Sequence, residues 1–244
     1  MIVCPELELL FIQVPQTGCS AIGRELVAQY GGLPVGAKHA TLDRARARLG
    51  DDVSRMFVVS SIRNPLDQAV SSYHKAVHAP PAPKSHVRPW SGRFGSTPSE
   101  RREFAQVADF STYFLRFYRR PFAPVWLQSQ RASDLVLRFE ALQTGFEQML
   151  AAVGSSPVRE LPHFNKTPRP ARPFEDFYDG AAQARATQIF GPFMSEWDYA
   201  MPPSWPVQAR PRRVDTWGYR VLPHLKTGRS AARRVGRRAA SLLR

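Results

Sequence analysis

Cysteine is scarce in this chain. Two thiols in 244 residues, Cys4 and Cys19, make neither a disulfide framework nor a cysteine metal site, and they permit a reducing compartment. No apolar run approaches the ~20 residues of a membrane-spanning helix. The first strand-like run starts inside the first ten residues, so no signal peptide and no transmembrane segment are expected. The expected location is therefore cytoplasmic, with room for a peripheral membrane contact. Acids are outnumbered: 20 Asp or Glu face 34 Lys or Arg, for a net charge of +14. Residues 208–244 hold eleven Lys or Arg and one Asp, a net +10, so residues 1–207 carry only +4. The body is mildly basic, as suits an enzyme that handles anions, and the tail is a separate electrostatic object.

The body reads as strands alternating with helices. Leu9–Val14 is an apolar run broken only by Gln13, as in a strand covered on both faces. Ser20 is placed to cap the next helix, with Ile22, Leu26 and Tyr30 on one face and Gly31-Gly32 as its stop. Thr41 precedes a second helix, stopped at Gly50, and Met56–Ile62 is a second strand. Asn64, Pro65 and Asp67 then open a helix that runs through Tyr73 and Val77. Residues 79–98 hold five prolines and read as a long loop, followed by a helix near Phe110–Tyr118. Asp134–Phe139 is a third strand, Ala141–Val153 its helix, and Ala181–Phe190 a last helix. This order predicts an α/β domain over residues 1–207 with a central parallel sheet, and an appended basic extension over 208–244.

Two strand-to-helix junctions stand out. After the first strand comes Pro15-Gln16-Thr17-Gly18-Cys19-Ser20, whose backbone N–H groups and hydroxyls suit a phosphate at a helix N-terminus. The Walker sequence G-x-x-x-x-G-K-[ST] is absent, which disfavours a nucleotide kinase. Cys19 and Arg24 are one residue too close for a phosphatase C-x5-R loop. At the second junction Arg63 ends a strand, and Ser71 lies two turns into the helix on the Asn64 face. Two helix starts at the carboxyl end of one sheet suit a ligand with two separated phosphates.

Together the junctions resemble the sulfotransferases that use PAPS (3′-phosphoadenosine 5′-phosphosulfate), in particular the branch that sulfates carbohydrates. The family's P-K-T-G loop is matched by Pro15-Gln16-Thr17-Gly18, and its R-N-P-x-D-R-x-V-S-x-Y segment by Arg63-Asn64-Pro65-Leu66-Asp67-Gln68-Ala69-Val70-Ser71-Ser72-Tyr73. Lys38-His39, Arg138-Phe139-Glu140, Leu161–Thr167, and Ile189–Pro192 leading to Trp197-Asp198-Tyr199 resemble further landmarks of that branch. The resemblance spans about residues 8–200. It implies a three-layer α/β fold with a P-loop NTPase-like nucleotide-binding core. It also implies sulfuryl transfer from PAPS as co-substrate to a hydroxyl acceptor, most plausibly a carbohydrate, with no metal. Pro15, Gln16, Thr17, Gly18, Cys19 and Ser20 would cradle the 5′ end, and Arg63 and Ser71 would hold the 3′-phosphate. His39 would be the general base. The family's loop lysine is Gln16 here, so Lys38 is the candidate for the missing charge. Gln68 stands where the family has a second arginine.

The alternative is a PAPS- or PAP-binding protein impaired in catalysis, for which Gln16 is the argument. Cys19, at a helix start, is read first as a small loop residue, with a lowered thiol pKa as the alternative. His86 and His163 are weaker bases, and Trp90 is an acceptor-contact candidate. The segment 226–244 has Ala232, Val235, Ala239 and Leu242 on one face of a helix and arginines on the rest. It is read as either a solvated basic tail or a weak contact for an anionic membrane or polyanion, with nucleic acid the less expected partner.

Overall fold

The computed structural model describes residues 1–79, 97–119, 121–162, 167–206, 213 and 215–221. Most of the proline-rich segment with His86 and Trp90, His163, and the tail from 222 onward lie outside the described residues. The strands are β1 (Ile2–Cys4), β2 (Leu9–Phe11), β3 (Leu33–Pro34), β4 (Phe57–Ile62) and β5 (Leu135–Arg138). The helices are α1 (Cys19–Gln29), α2 (Leu42–Leu49), α3 (Pro65–Val77), α4 (Pro98–Val107), α5 (Phe110–Phe117), α6 (Leu127–Arg131), α7 (Leu142–Ala152) and α8 (Gly180–Glu196). Contacts divide the chain into two compact units: Met1–Asn64 with Trp126–Lys166, and Pro65–Val125 with Thr167–Arg244. None of the described helices is long and apolar enough to cross a membrane.

The first unit holds the whole sheet, in the order β3-β1-β2-β4-β5. β2, β4 and β5 are parallel, with Leu10 opposite Val58 and Ser61 opposite Leu137. The sheet is nevertheless mixed, not wholly parallel as the sequence reading had it. β1 runs antiparallel to both β2 and β3. The reason is the connection: a single 3-10 turn, Pro5–Leu7, joins β1 to β2. A parallel crossover needs a dozen residues or more. Three residues also show no periodicity, so β1 is not legible in the sequence alone.

Phe11, Ile22, Leu26, Val59, Leu137, Phe146, Met149 and Leu150 form the core of this unit, packing α1 and α7 on the sheet. Gly31 adopts φ +62° just past α1, and the Gly32 N–H closes on the Leu26 carbonyl at 2.9 Å. Ser20 does not cap this helix: Gly18 is its N-cap and Ser20 is its second residue. Thr41 sits at the start of α2, as expected, but its side chain makes no capping bond.

The second unit is helical and rich in aromatic contacts. Phe110, Tyr113, Phe114 and Phe117 of α5 are buried, and Phe114 meets Phe190 of α8 at 5.7 Å. α4 was not foreseen, although Thr97-Pro98-Ser99-Glu100 forms a complete capping box there. α8 continues past Gly191-Pro192, where the sequence suggested a stop. An interior proline costs ~3 kcal/mol. Each large buried apolar side chain returns ~1.5–3 kcal/mol, and Phe193 and Met194 are both buried beyond it. The Phe122 N–H also takes the Ile189 carbonyl at 2.9 Å, just ahead of the proline. Residues 215–221 are helical, and Tyr219 meets Phe193 edge-on at 6.4 Å.

Candidate functional site

The first unit places two chain segments side by side at the carboxyl ends of β2 and β4, because these strands are parallel neighbours. The loop after β2 is shaped by two positive φ angles, +67° at Gln16 and +74° at Gly18, with Thr17 of negative φ between them. Alternating signs of this kind form a concavity lined by backbone N–H groups. The N–H groups of Thr17, Gly18 and Ser20 donate to no acceptor among the described residues. They lead into α1, an 11-residue helix whose N-terminal end favours negative charge.

The loop is pinned from below. The Thr17 hydroxyl donates to the Val14 carbonyl at 2.8 Å. It accordingly accepts from the Ser61 hydroxyl of β4, 2.6 Å away. Thr17 is buried, so its side chain secures the loop while its N–H remains for a ligand. Gly18 is required by its φ, and a Cβ there would press on the end of the Leu142 side chain of α7, which would have to turn aside. Cys19 is buried, and burial pushes its thiol pKa up despite the neighbouring Lys38 ammonium. A helix start did not produce a reactive thiolate here, because loss of solvent outweighs the nearby positive charge.

Three side chains ring this loop. Lys38 Nζ donates to Ser20 Oγ at 2.9 Å, which sets an ammonium at the start of α1. Arg63, buried at the end of β4, donates from Nη1 to the Gln16 carbonyl at 3.1 Å. Its guanidinium lies 4.0 Å from the centre of the Phe139 ring. His39 Nδ1 lies 2.8 Å from the Gln13 carbonyl. A carbonyl only accepts, so Nδ1 carries the proton and Nε2 of the neutral ring is a bare acceptor. Trp126 fixes the same residue: its Nε1 donates to the His39 carbonyl at 3.0 Å, and its ring meets the imidazole edge-on. The Gln16 side chain is exposed.

The structure thus brings Gln16, Thr17, Gly18, Cys19, Ser20, Lys38, His39 and Arg63 together in one unit. Pro15 opens the loop and is half-buried. Ser71 belongs to α3 of the other unit, where it is half-buried. Nearby on α3, Asp67 pairs with Arg169 and the Gln68 carbonyl accepts the Ser72 hydroxyl. Several contributors had not been singled out: Ser61, the Gln13 carbonyl, Phe139 and Trp126. Ser60-Ser61 was the one visible signal, a polar pair inside an apolar strand. Glu140 takes the Asn64 N–H at 2.7 Å, and so steadies the exit from β4. Among the described residues no group of three or more His, Cys, Asp or Glu could hold a metal ion.

The fold and site define a mixed α/β protein with a strand–loop–helix turn flanked by Lys38, Arg63 and a histidine of fixed tautomer. The chain matches no protein-family model, no curated protein and no solved structure.

Proposed function

We propose that this protein is a PAPS-dependent sulfotransferase that sulfates a hydroxyl, most plausibly on a carbohydrate, from a three-layer, P-loop NTPase-like core. The observation that carries the reading is the loop Gln16–Ser20. The N–H groups of Thr17, Gly18 and Ser20 at the helix start donate to no acceptor among the described residues, with Lys38 seated on Ser20 and Arg63 seated on the Gln16 carbonyl. Sulfuryl transfer needs little from a protein beyond placement, donors on the moving group and a base for the hydroxyl. The loop N–H groups and Lys38 receive the transferring sulfuryl oxygens. Arg63 neutralises phosphate charge on the nucleotide. His39 Nε2 takes the proton of the acceptor hydroxyl while its oxygen bonds to sulfur. The bond from sulfur to the bridging oxygen breaks, and PAP departs with that electron pair.

The rival reading is a PAP-binding protein without turnover, favoured by Gln16 in the place of a lysine. The Lys38–Ser20 bond favours catalysis, because it supplies a cation one residue into the same helix. Charge-assisted hydrogen bonds are about twice as strong as neutral ones, so Lys38 outweighs Gln16 as a donor to a charged group. The basic 226–244 segment is proposed as a peripheral contact for anionic surfaces, on its charge alone.

Titration calorimetry with PAP tests binding, and a PAP-release assay separates enzyme from binder. Arg63→Ala is expected to weaken PAP by at least about tenfold, equivalent to ~1.4 kcal/mol. Unchanged affinity would remove the central claim.

A further inference from the structure

Residues 213 and 215–221 are helical, and their two faces differ in kind. Asp215 and Tyr219 are buried, and the Tyr219 ring meets Phe193 of α8 edge-on, so one face is turned into the second unit. Arg213, Trp217 and Arg220 are exposed. They are spaced by four and three residues, which sets them in one stripe along the other face. The indole is 64% exposed, and it is the one aromatic among the large apolar side chains exposed in the described residues. It makes no hydrogen bond and no ring contact there. Neither arginine forms an ion pair among the described residues.

A side chain of this size gains from leaving water, and the fold has not covered it. Whatever covers it must also accept the cations beside the ring. Asp215, the one acid among residues 208–244, is buried on the other face, and those residues carry a net charge of +10. A soluble polyanion answers the charge and leaves the indole in water. The boundary of an anionic bilayer answers both. Indole rings settle at the headgroup level, and the long arginine stems let their guanidinium groups reach the lipid phosphates.

We infer that Arg213, Trp217 and Arg220 form a docking patch for an anionic bilayer, with the indole inserted at the headgroup boundary. The patch is independent of the sulfuryl-transfer reading. It rests on the proposal that the basic C-terminal segment meets anionic surfaces, and it adds insertion to a contact argued from charge. The charge draws the chain to the surface, with a reach of about one Debye length, ~8 Å at physiological salt. The indole then holds by burial, which salt does not screen.

The test uses the full chain and phosphatidylcholine vesicles containing about one quarter phosphatidylserine. Co-sedimentation measures binding, and phosphatidylcholine brominated on its acyl chains quenches a tryptophan that inserts. Wild type is expected to be quenched, and Trp217→Phe to lose that quenching while keeping most of the binding. Trp217→Ala is expected to bind about tenfold more weakly, with an unchanged urea midpoint because the position is exposed. Quenching that persists in Trp217→Phe overturns the inference, and so does Trp217→Ala binding as wild type does. Should the alanine variant be unstable, the quenching of the phenylalanine variant decides alone. Replacing Arg233, Arg234, Arg237 and Arg238 with Gln separates the patch from the tail. If binding survives that change and still needs Trp217, the patch stands and the tail proposal falls. If binding needs those arginines and is indifferent to Trp217, the tail stands and the patch falls. Dependence on both supports both. A single-stranded oligonucleotide that binds through Trp217, where the vesicles do not bind, would refute the bilayer as occupant.

Discussion

Gly18 is the position where the loop can be tested most directly. Its φ of +74° lies in the left-handed region, and a Cβ would stand 2.4 Å from Leu142 Cδ2 and 3.3 Å from the Phe139 ring. Gly18→Ala therefore carries two costs. The left-handed backbone costs a residue with Cβ ~1–2 kcal/mol. Pressing a methyl group into α7 costs a further ~1–3 kcal/mol, because Leu142 must leave its rotamer or α7 must shift. The smaller conformational freedom of the unfolded alanine chain returns ~0.4–1 kcal/mol. The net is a destabilisation of about 1–4.6 kcal/mol, or ~2–18 °C in Tm at the usual 2–4 °C per kcal/mol for a domain of this size. Gly31→Ala is the control. Gly31 has φ +62° with nothing within 4 Å of the added atom, so it carries the backbone cost alone, about 1 kcal/mol. Urea unfolding followed by circular dichroism measures both. In a Leu142→Ala background the Gly18→Ala increment should fall to that of Gly31→Ala, because the obstructing methyl group is gone. If Gly18→Ala costs no more than the control, or if its excess survives in that background, the close packing of the loop against α7 is refuted.

If the proposed sulfuryl transfer holds, Lys38→Ala should reduce it by about 10²–10³ while changing PAP affinity far less, since the charge is assigned to the transferring group; equal turnover in a PAP-release assay would misplace the cation. Both cysteines should resist iodoacetamide at pH 7.5 until the chain unfolds, because burial pushes Cys4 up to about 11 and raises Cys19 as well. Mass spectrometry showing fast native alkylation of either would contradict their burial. His74 is held below its ordinary pKa by burial first, then by His78, Arg169 and Arg172. The unfolded chain therefore binds the proton more readily, so stability falls as pH drops below ~6.5 towards the folded value. Urea midpoints at pH 7.5 and 5.5 should show that loss, and His74→Phe should lessen it; an identical pH slope in the variant would refute the assignment.

Local order in this protein is written in short-range patterns. The apolar run at Leu9 and the mostly apolar Phe57–Ile62 gave β2 and β4, and Pro65 with Asp67 gave the start of α3, because covered strands and helix starts depend on neighbouring residues alone. Gly31 and Gly50 mark helix ends in the sequence, each at positive φ. The loop Pro15–Ser20 could be named as a phosphate-sized turn for the same reason. Tertiary structure decided what no local window contains. β1 and β3 exist only through pairing, since strands of three and two residues have no stability of their own. α8 runs through Pro192 because the burial of Phe193 and Met194 outweighs a local stop signal. The polar groups around the loop come from residues 13 to 63, and the Phe139 ring under Arg63 from further on. Their meeting is set by the parallel pairing of β2, β4 and β5, which is a long-range fact. Burial likewise set the acidity of Cys19: a helix start is visible in sequence, but the loss of solvent around a side chain appears only when the chain has folded over it.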